Sequence, residues 1–104
     1  MTYLSVVHIT KDNFESIVNQ NEKSVLIDFW APWCGPCQMV GPIIEEIAAE
    51  RSDIIVGKIN VDDEMELARQ FRIVSIPTII LMKNGEKVAT AIGYKPKADI
   101  LKLL

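Results

Sequence analysis

Val25-Leu26-Ile27-Asp28-Phe29-Trp30-Ala31-Pro32-Trp33-Cys34-Gly35-Pro36-Cys37 decides the fold, because it holds both cysteines of the chain and joins two unlike patterns. Val25 to Trp30 is nearly unbroken apolar sequence, as expected of a strand covered on both faces. Beyond the cysteines, Val40, Ile43, Ile44, Ile47 and Ala48 recur at helical spacing and predict a long helix from about Cys34 to Glu50. The cysteine pair thus sits where a strand hands over to a helix N-terminus, its members one turn apart. Free N–H groups and the positive end of the macrodipole favour a thiolate there, and a thiolate is what attacks a disulfide. Cys34, first in the helix, is expected to be the more exposed sulfur and the nucleophile. Cys37, one turn inside, is expected to be the more buried resolving partner. Pro36 suits the first helical turn, where a missing N–H costs nothing. Pro42, inside the helix, removes a bond to the Gln38 carbonyl and predicts a kink, which Gly41 eases.

Outward from this stretch, Val6-Val7-His8-Ile9 reads as a first strand. Thr10 fits the N-cap of an amphipathic helix with Phe14, Ile17 and Val18 inside. Ile54 to Val61 reads as another strand, in which Lys58 would bury its stem and send its charge to solvent. Asp62-Asp63-Glu64 opens a short helix, acidic residues suiting its positive end, with Leu67, Ala68 and Phe71 on its buried side. Ile76-Pro77-Thr78 precedes the strand Ile79–Met82, so Pro77 belongs at a strand start or edge. Asn84-Gly85 is a type I′ hairpin signal. Val88, Thr90 and Ile92 alternate along the returning strand, Gly93 ends it, and Pro96 starts a final helix with Ile100, Leu101, Leu103 and Leu104. The order β-α-β-α-β-α-β-β-α, with right-handed crossovers and a terminal hairpin, predicts an α/β fold. Its sheet is mixed and five-stranded, with helices on both faces.

The 104 residues, net charge −3, are expected to form one domain spanning 1–104, with a core that needs no staples. Lysines and arginines are scattered, which argues against a nucleic-acid surface. Met1-Thr2-Tyr3-Leu4-Ser5 lacks a basic n-region, and no run approaches a membrane span of about 20 apolar residues. A reducing cytosol is therefore expected, where a close cysteine pair is catalytic or metal-binding more often than structural. A structural disulfide over so short a loop would contribute little entropy. Zinc needs about four ligands, and beyond the cysteines only His8 is a candidate, itself better read as a strand residue. No metal is expected, and a redox dithiol is the strongest reading. Asp28 is open to two readings from the residues alone: a carboxylate satisfied by a neighbouring donor or at a rim, or a buried carboxyl that transfers protons behind the cysteines.

Trp33-Cys34-Gly35-Pro36-Cys37 after Asp28-Phe29-Trp30-Ala31, with Ile76-Pro77-Thr78 further on, resembles the thioredoxin family over nearly the whole chain. The resemblance implies the thioredoxin fold and general reduction of protein disulfides by a monomer. It implies a buried Asp28 with Lys58 beside it, and a cis Ile76–Pro77 bond facing the sulfurs, although X–Pro bonds in general are cis in only about 5–6% of cases. It further implies an apolar rim of Trp33, Gly35, Pro36, Ile76, Pro77, Ile92 and Gly93, beside which an extended target segment would pair. It implies that no cofactor is bound and that electrons would come from NADPH through a flavin-dependent thioredoxin reductase. Gly35-Pro36 is similar to the reducing thioredoxins, whereas disulfide isomerases carry a histidine there and glutaredoxins a tyrosine. Tyr94, where many thioredoxins have a small residue, and a short last helix depart from the pattern. A redox-independent binding subunit with this fold remains the alternative function.

Overall fold

The computed structural model describes residues 5–104, so Met1–Leu4, where the absence of a leader was read, lie outside the described residues. Its strands are β1 (Val7–His8), β2 (Val25–Trp30), β3 (Ile55–Asn60), β4 (Thr78–Lys83) and β5 (Glu86–Ile92). Its α-helices are α1 (Gly35–Glu50), α2 (Met65–Gln70) and α3 (Lys97–Leu101), and a π-helical segment, Glu15–Asn19, stands between β1 and β2. The five strands lie in the order β1-β3-β2-β4-β5. β1, β3 and β2 run parallel through crossovers, while β4 pairs antiparallel with both β2 and β5. This is the mixed sheet read from the element order.

Both faces of the sheet are covered. Val25, Ile27 and Phe29 of β2 join Ile55, Ile59, Ile80 and Met82 against Ile17 and Val18 of the π-helical segment and Leu67 of α2. Leu26 joins Val56, Ile79 and Leu81 against Val40, Ile44 and Ile47 of α1 and Ile100 of α3. Short as it is, the last helix is docked: Ile100 is buried, with Leu101, Leu103 and Leu104 packed beside it. α1 continues through Pro42 as one element of 16 residues, and its buried stripe is Cys37, Val40, Ile44, Ile47 and Ala48.

Two local readings change, and the hairpin ladder carries an irregularity. The helix expected after Thr10 narrows to one wide turn closed by the Gln20 N–H on the Glu15 carbonyl at 3.0 Å. Its N-cap is Phe14, without a side-chain cap bond; Thr10 instead ties the preceding turn, its hydroxyl accepting the Asp12 N–H and its own N–H donating to Asn13 Oδ1. Ser16 Oγ then bonds back to the Asn13 carbonyl, a competitor to regular α-helix. Asn84 and Gly85, at φ 53° and 78°, make the type I′ turn, yet the ladder slips at Leu81/Met82. Val88, Thr90 and Ile92 alternate as expected, on the outward side, with Ala89 and Ala91 between them facing inward. Finally, α2 begins at Met65, leaving Asp62 and Asp63 in the preceding turn.

Candidate active site

Cys34 is the N-cap of α1, in extended conformation, with Gly35 and Pro36 opening the helix. Cys34 and Cys37 are joined as a disulfide with their Cα atoms 5.2 Å apart. The Cys37 N–H, one of the free amides of the first turn, donates to Cys34 Sγ at 3.2 Å. The expected difference in exposure is not found: the residues are 4% and 3% exposed. Ala31 joins both cysteines in one buried cluster, with Trp30, Val61 and Ile76 packed against it, which the chain's local pattern could not reveal. The two sulfurs differ in backbone position and hydrogen bonding instead.

The Ile76–Pro77 bond is cis, and Cys34 Sγ lies 3.7 Å from the Ile76 carbonyl oxygen. The Gly93 N–H donates to the Pro77 carbonyl at 2.8 Å, and Thr78 pairs with Ile92. Gly93 sits at φ 86°, a conformation that favours glycine and lets the chain turn back onto Pro77. Cys34, Ile76, Pro77, Ile92 and Gly93 are thereby brought together. Pro77 is buried and its carbonyl occupied, whereas the Ile76 N–H and C=O make no backbone hydrogen bond among the described residues. Trp33 is 71% exposed, its Nε1–H donating to Asp62 Oδ2 at 2.9 Å. Beside it a groove of about 320 Å³ runs along Val61, Ala68 and Ile73–Ile76.

Asp28 is 2% exposed, between Lys58 of β3 and Ile79 of β4. Burial pushes its carboxyl up to about 7, with Lys58 opposing the rise. No direct Lys58–Asp28 ion pair forms. The Lys58 ammonium lies instead over the Trp30 ring, 4.2 Å from its centroid, a site that costs it less hydration than a buried carboxyl would. Among the described residues no three His, Cys, Asp or Glu side chains gather as a metal site, and His8 lies exposed in β1. No helix there is long and apolar enough to cross a membrane.

The family model described as Thioredoxin matches residues 5–104. The chain belongs to the thioredoxin family. The thioredoxin of Mycolicibacterium smegmatis is 50% identical over 103 residues, covering 96% of this chain and 92% of that one. The N21Q mutant thioredoxin from Halobacterium salinarum superposes with a TM-score of 0.90 at 31% identity, covering 99% and 90% of the two chains. The bifunctional thioredoxin reductase/thioredoxin of Mycobacterium leprae is 47% identical over 97 residues, covering 92% of this chain and 21% of that protein. The chain is accordingly a thiol–disulfide oxidoreductase of the thioredoxin fold, its redox-active pair Cys34 and Cys37.

Sequence reasoning missed two parts of this thioredoxin site. Asp62 was read as helix-end charge, but α2 starts later and its carboxylate anchors Trp33. Trp30 was read only as the end of a strand, and its ring takes the Lys58 charge. The period of β2 held a signal for the second: Asp28 and Trp30 are two apart, so they share a face.

Proposed function

We propose that this chain acts as one domain and a general protein-disulfide reductase, with Cys34 attacking, Cys37 resolving and Asp28 accepting Cys37's proton. The observation that carries the assignment is the N-cap position of Cys34, whose Sγ accepts the Cys37 N–H at the positive end of α1. In the reduced protein the same amide and dipole stabilise a thiolate on Cys34. That thiolate attacks one sulfur of a target disulfide; a mixed disulfide forms and the target's other sulfur leaves as a thiolate. Cys37 passes its proton to the Asp28 carboxylate, and the Cys37 thiolate attacks Cys34 Sγ. The Cys34–Cys37 bond forms, the mixed disulfide breaks, and two electrons have moved to the target. A carboxyl with its midpoint near 7 suits both taking and returning that proton.

Trp33, Gly35, Pro36, Ile76, Pro77, Ile92 and Gly93 form the target rim in this reading. The Ile76 N–H and C=O, which make no backbone hydrogen bond among the described residues, support pairing with an extended target segment beside the sulfur. A flavin-dependent thioredoxin reductase resets the pair with electrons from NADPH, and the fused reductase of the M. leprae relative supports such a partner. The chain works as a monomer in the cytosol, with no bound cofactor, metal, nucleic acid or membrane.

Alkylation of the reduced protein near neutral pH tests the roles: Cys34 is expected to be modified well before Cys37. Cys37→Ser is expected to accumulate a long-lived mixed disulfide with insulin, and Cys34→Ser to form none. Faster labelling of Cys37 overturns the assignment. Insulin reduction driven by NADPH and a flavin reductase tests the electron source. Target binding that survives loss of both cysteines, with no insulin reduction by the parent, would return the binding-subunit alternative.

A further inference from the structure

Asp28 and Lys58 stand directly opposite each other in the parallel β2–β3 ladder, so their side chains leave the same face of the sheet. An ammonium and a carboxylate so placed would ordinarily meet. Here Asp28 enters no ion pair, and its Oδ1 accepts no hydrogen bond among the described residues. The ammonium is over the Trp30 ring, 4.2 Å from its centroid. Trp30 leaves the same face two residues beyond Asp28, and indole is the best aromatic host for a cation. A second observation concerns the ring's polar edge: Trp30 Nε1 is buried and has no partner among the described residues. The indole is therefore not held by a hydrogen bond, and its face, not its N–H, makes the contact that matters.

We propose that Trp30 is a positioning residue of the exchange reaction: its ring holds the Lys58 ammonium off Asp28, leaving that carboxyl unpaired beneath the cysteine helix. The proposal rests on the reading of Asp28 as the acceptor of Cys37's proton. A carboxylate paired with an ammonium is stabilised in its charged form and becomes a weaker base toward a thiol. The neighbouring elements leave few other groups to set that balance. β4 presents Ile79, and the inward stripe of α1 presents Cys37, Val40 and Ile44, of which only Cys37 ionises once reduced. β3 presents Lys58. The place of that one cation therefore tunes Asp28, and Trp30 sets the place. The raised carboxyl, still lowered in part by Lys58, fits a cation kept near but not in contact.

The test follows the Asp28 side-chain carbon by NMR through pH in the reduced protein, in the parent and in Trp30→Leu, Trp30→Phe, Lys58→Met and the Trp30→Leu/Lys58→Met double variant. Trp30→Leu frees the ammonium and is expected to lower the Asp28 midpoint by about one pH unit, a roughly tenfold weaker base. Trp30→Phe keeps an aromatic face and is expected to stay close to the parent. In the Lys58→Met background, Trp30→Leu is expected to have no further effect. An unmoved midpoint in Trp30→Leu overturns the proposal. So does a fall that persists without Lys58, which would trace to water entering. The parent alone supplies a measurement independent of any variant's folding: the Lys58 ε-methylene protons should be shifted upfield by the Trp30 ring current, and unshifted protons overturn the contact. The pH profile of mixed-disulfide release separates the two readings. If the Trp30→Leu midpoint moves but the profile does not, the proton-acceptor reading of Asp28 falls and Trp30's part in exchange falls with it. If Asp28→Asn slows release while Trp30→Leu leaves the midpoint in place, only the Trp30 proposal falls.

Discussion

On one face of β2, Val25, Ile27 and Phe29 enter an all-apolar cluster with Ile17, Leu67 and Ile80; on the other, Leu26 is followed by Asp28 and Trp30 on the side covered by α1. The first face is closed by aromatic contacts, Phe29 to Phe71 and Phe71 to Phe14, with centroids 5.2 and 5.8 Å apart. The second keeps a buried carboxyl oxygen and a buried indole N–H without partners. Residues adjacent in the chain thus live in opposite environments, because successive side chains of a strand point to opposite faces. One face of a six-residue strand supplies cohesion while the other accommodates the cost of an unpaired polar group. Three substitutions test that division.

The largest effect is expected on the apolar face. Phe29→Ala removes a fully buried ring and is expected to cost about 3–5 kcal/mol, read as a lower urea midpoint of the oxidised protein. Insulin reduction per folded molecule should stay at the parental rate. A folded Phe29→Ala protein that has lost turnover would show that the two faces are not separable.

Asp28→Asn is expected to act with the opposite sign. The folded carboxyl holds its proton up to about pH 7, against an ordinary value of 3.8 in the unfolded chain. The parent's stability is therefore fullest below about pH 4, falls as pH rises to about 7, and stays low above that. A shift of about three units corresponds to at most roughly 4 kcal/mol. The variant should match the parent near pH 4 in thermal melts, exceed it increasingly up to about pH 7 and keep that margin above it, while release of the mixed disulfide slows. Lower stability across the range with unchanged release would mark Asp28 as an ordinary structural carboxylate.

Gly57 offers the smallest test, on the apolar face beside Ile9. A Cβ there would overlap the Ile9 side chain and lie 3.2 Å from the Val7 carbonyl oxygen. Gly57→Val is expected to cost about 1–3 kcal/mol by overpacking, read by the same urea midpoint, with the Asp28 titration unmoved. A moved titration would mean that strain crosses the sheet.

Much of the fold was legible because its signals are local. The apolar run Val25–Trp30 appears as β2 with the expected bounds, Asn84-Gly85 makes the turn its φ preference requires, and Pro36 lies in the first turn of α1. The helix after Thr10 was misjudged because Asn13 and Ser16 draw backbone groups into local bonds that compete with the regular ladder. In the site, Cys34 and Cys37 were legible from spacing and the cis Ile76–Pro77 bond from family resemblance. Asp62 was not, because its partner Trp33 is 29 residues away.

The strand-to-helix handover at Cys34, the order of the elements and the two faces of β2 follow from local sequence, since backbone preference and side-chain period act between near neighbours. Three features depend on how the elements pack: both cysteines are buried alike, Lys58 rests on Trp30 and not on Asp28, and Asp62 holds Trp33. The physical reason is reach. Burial is imposed by elements that return from far along the chain, and a long or exposed side chain takes whichever partner the packed sheet brings within a few ångströms at the least cost in lost hydration.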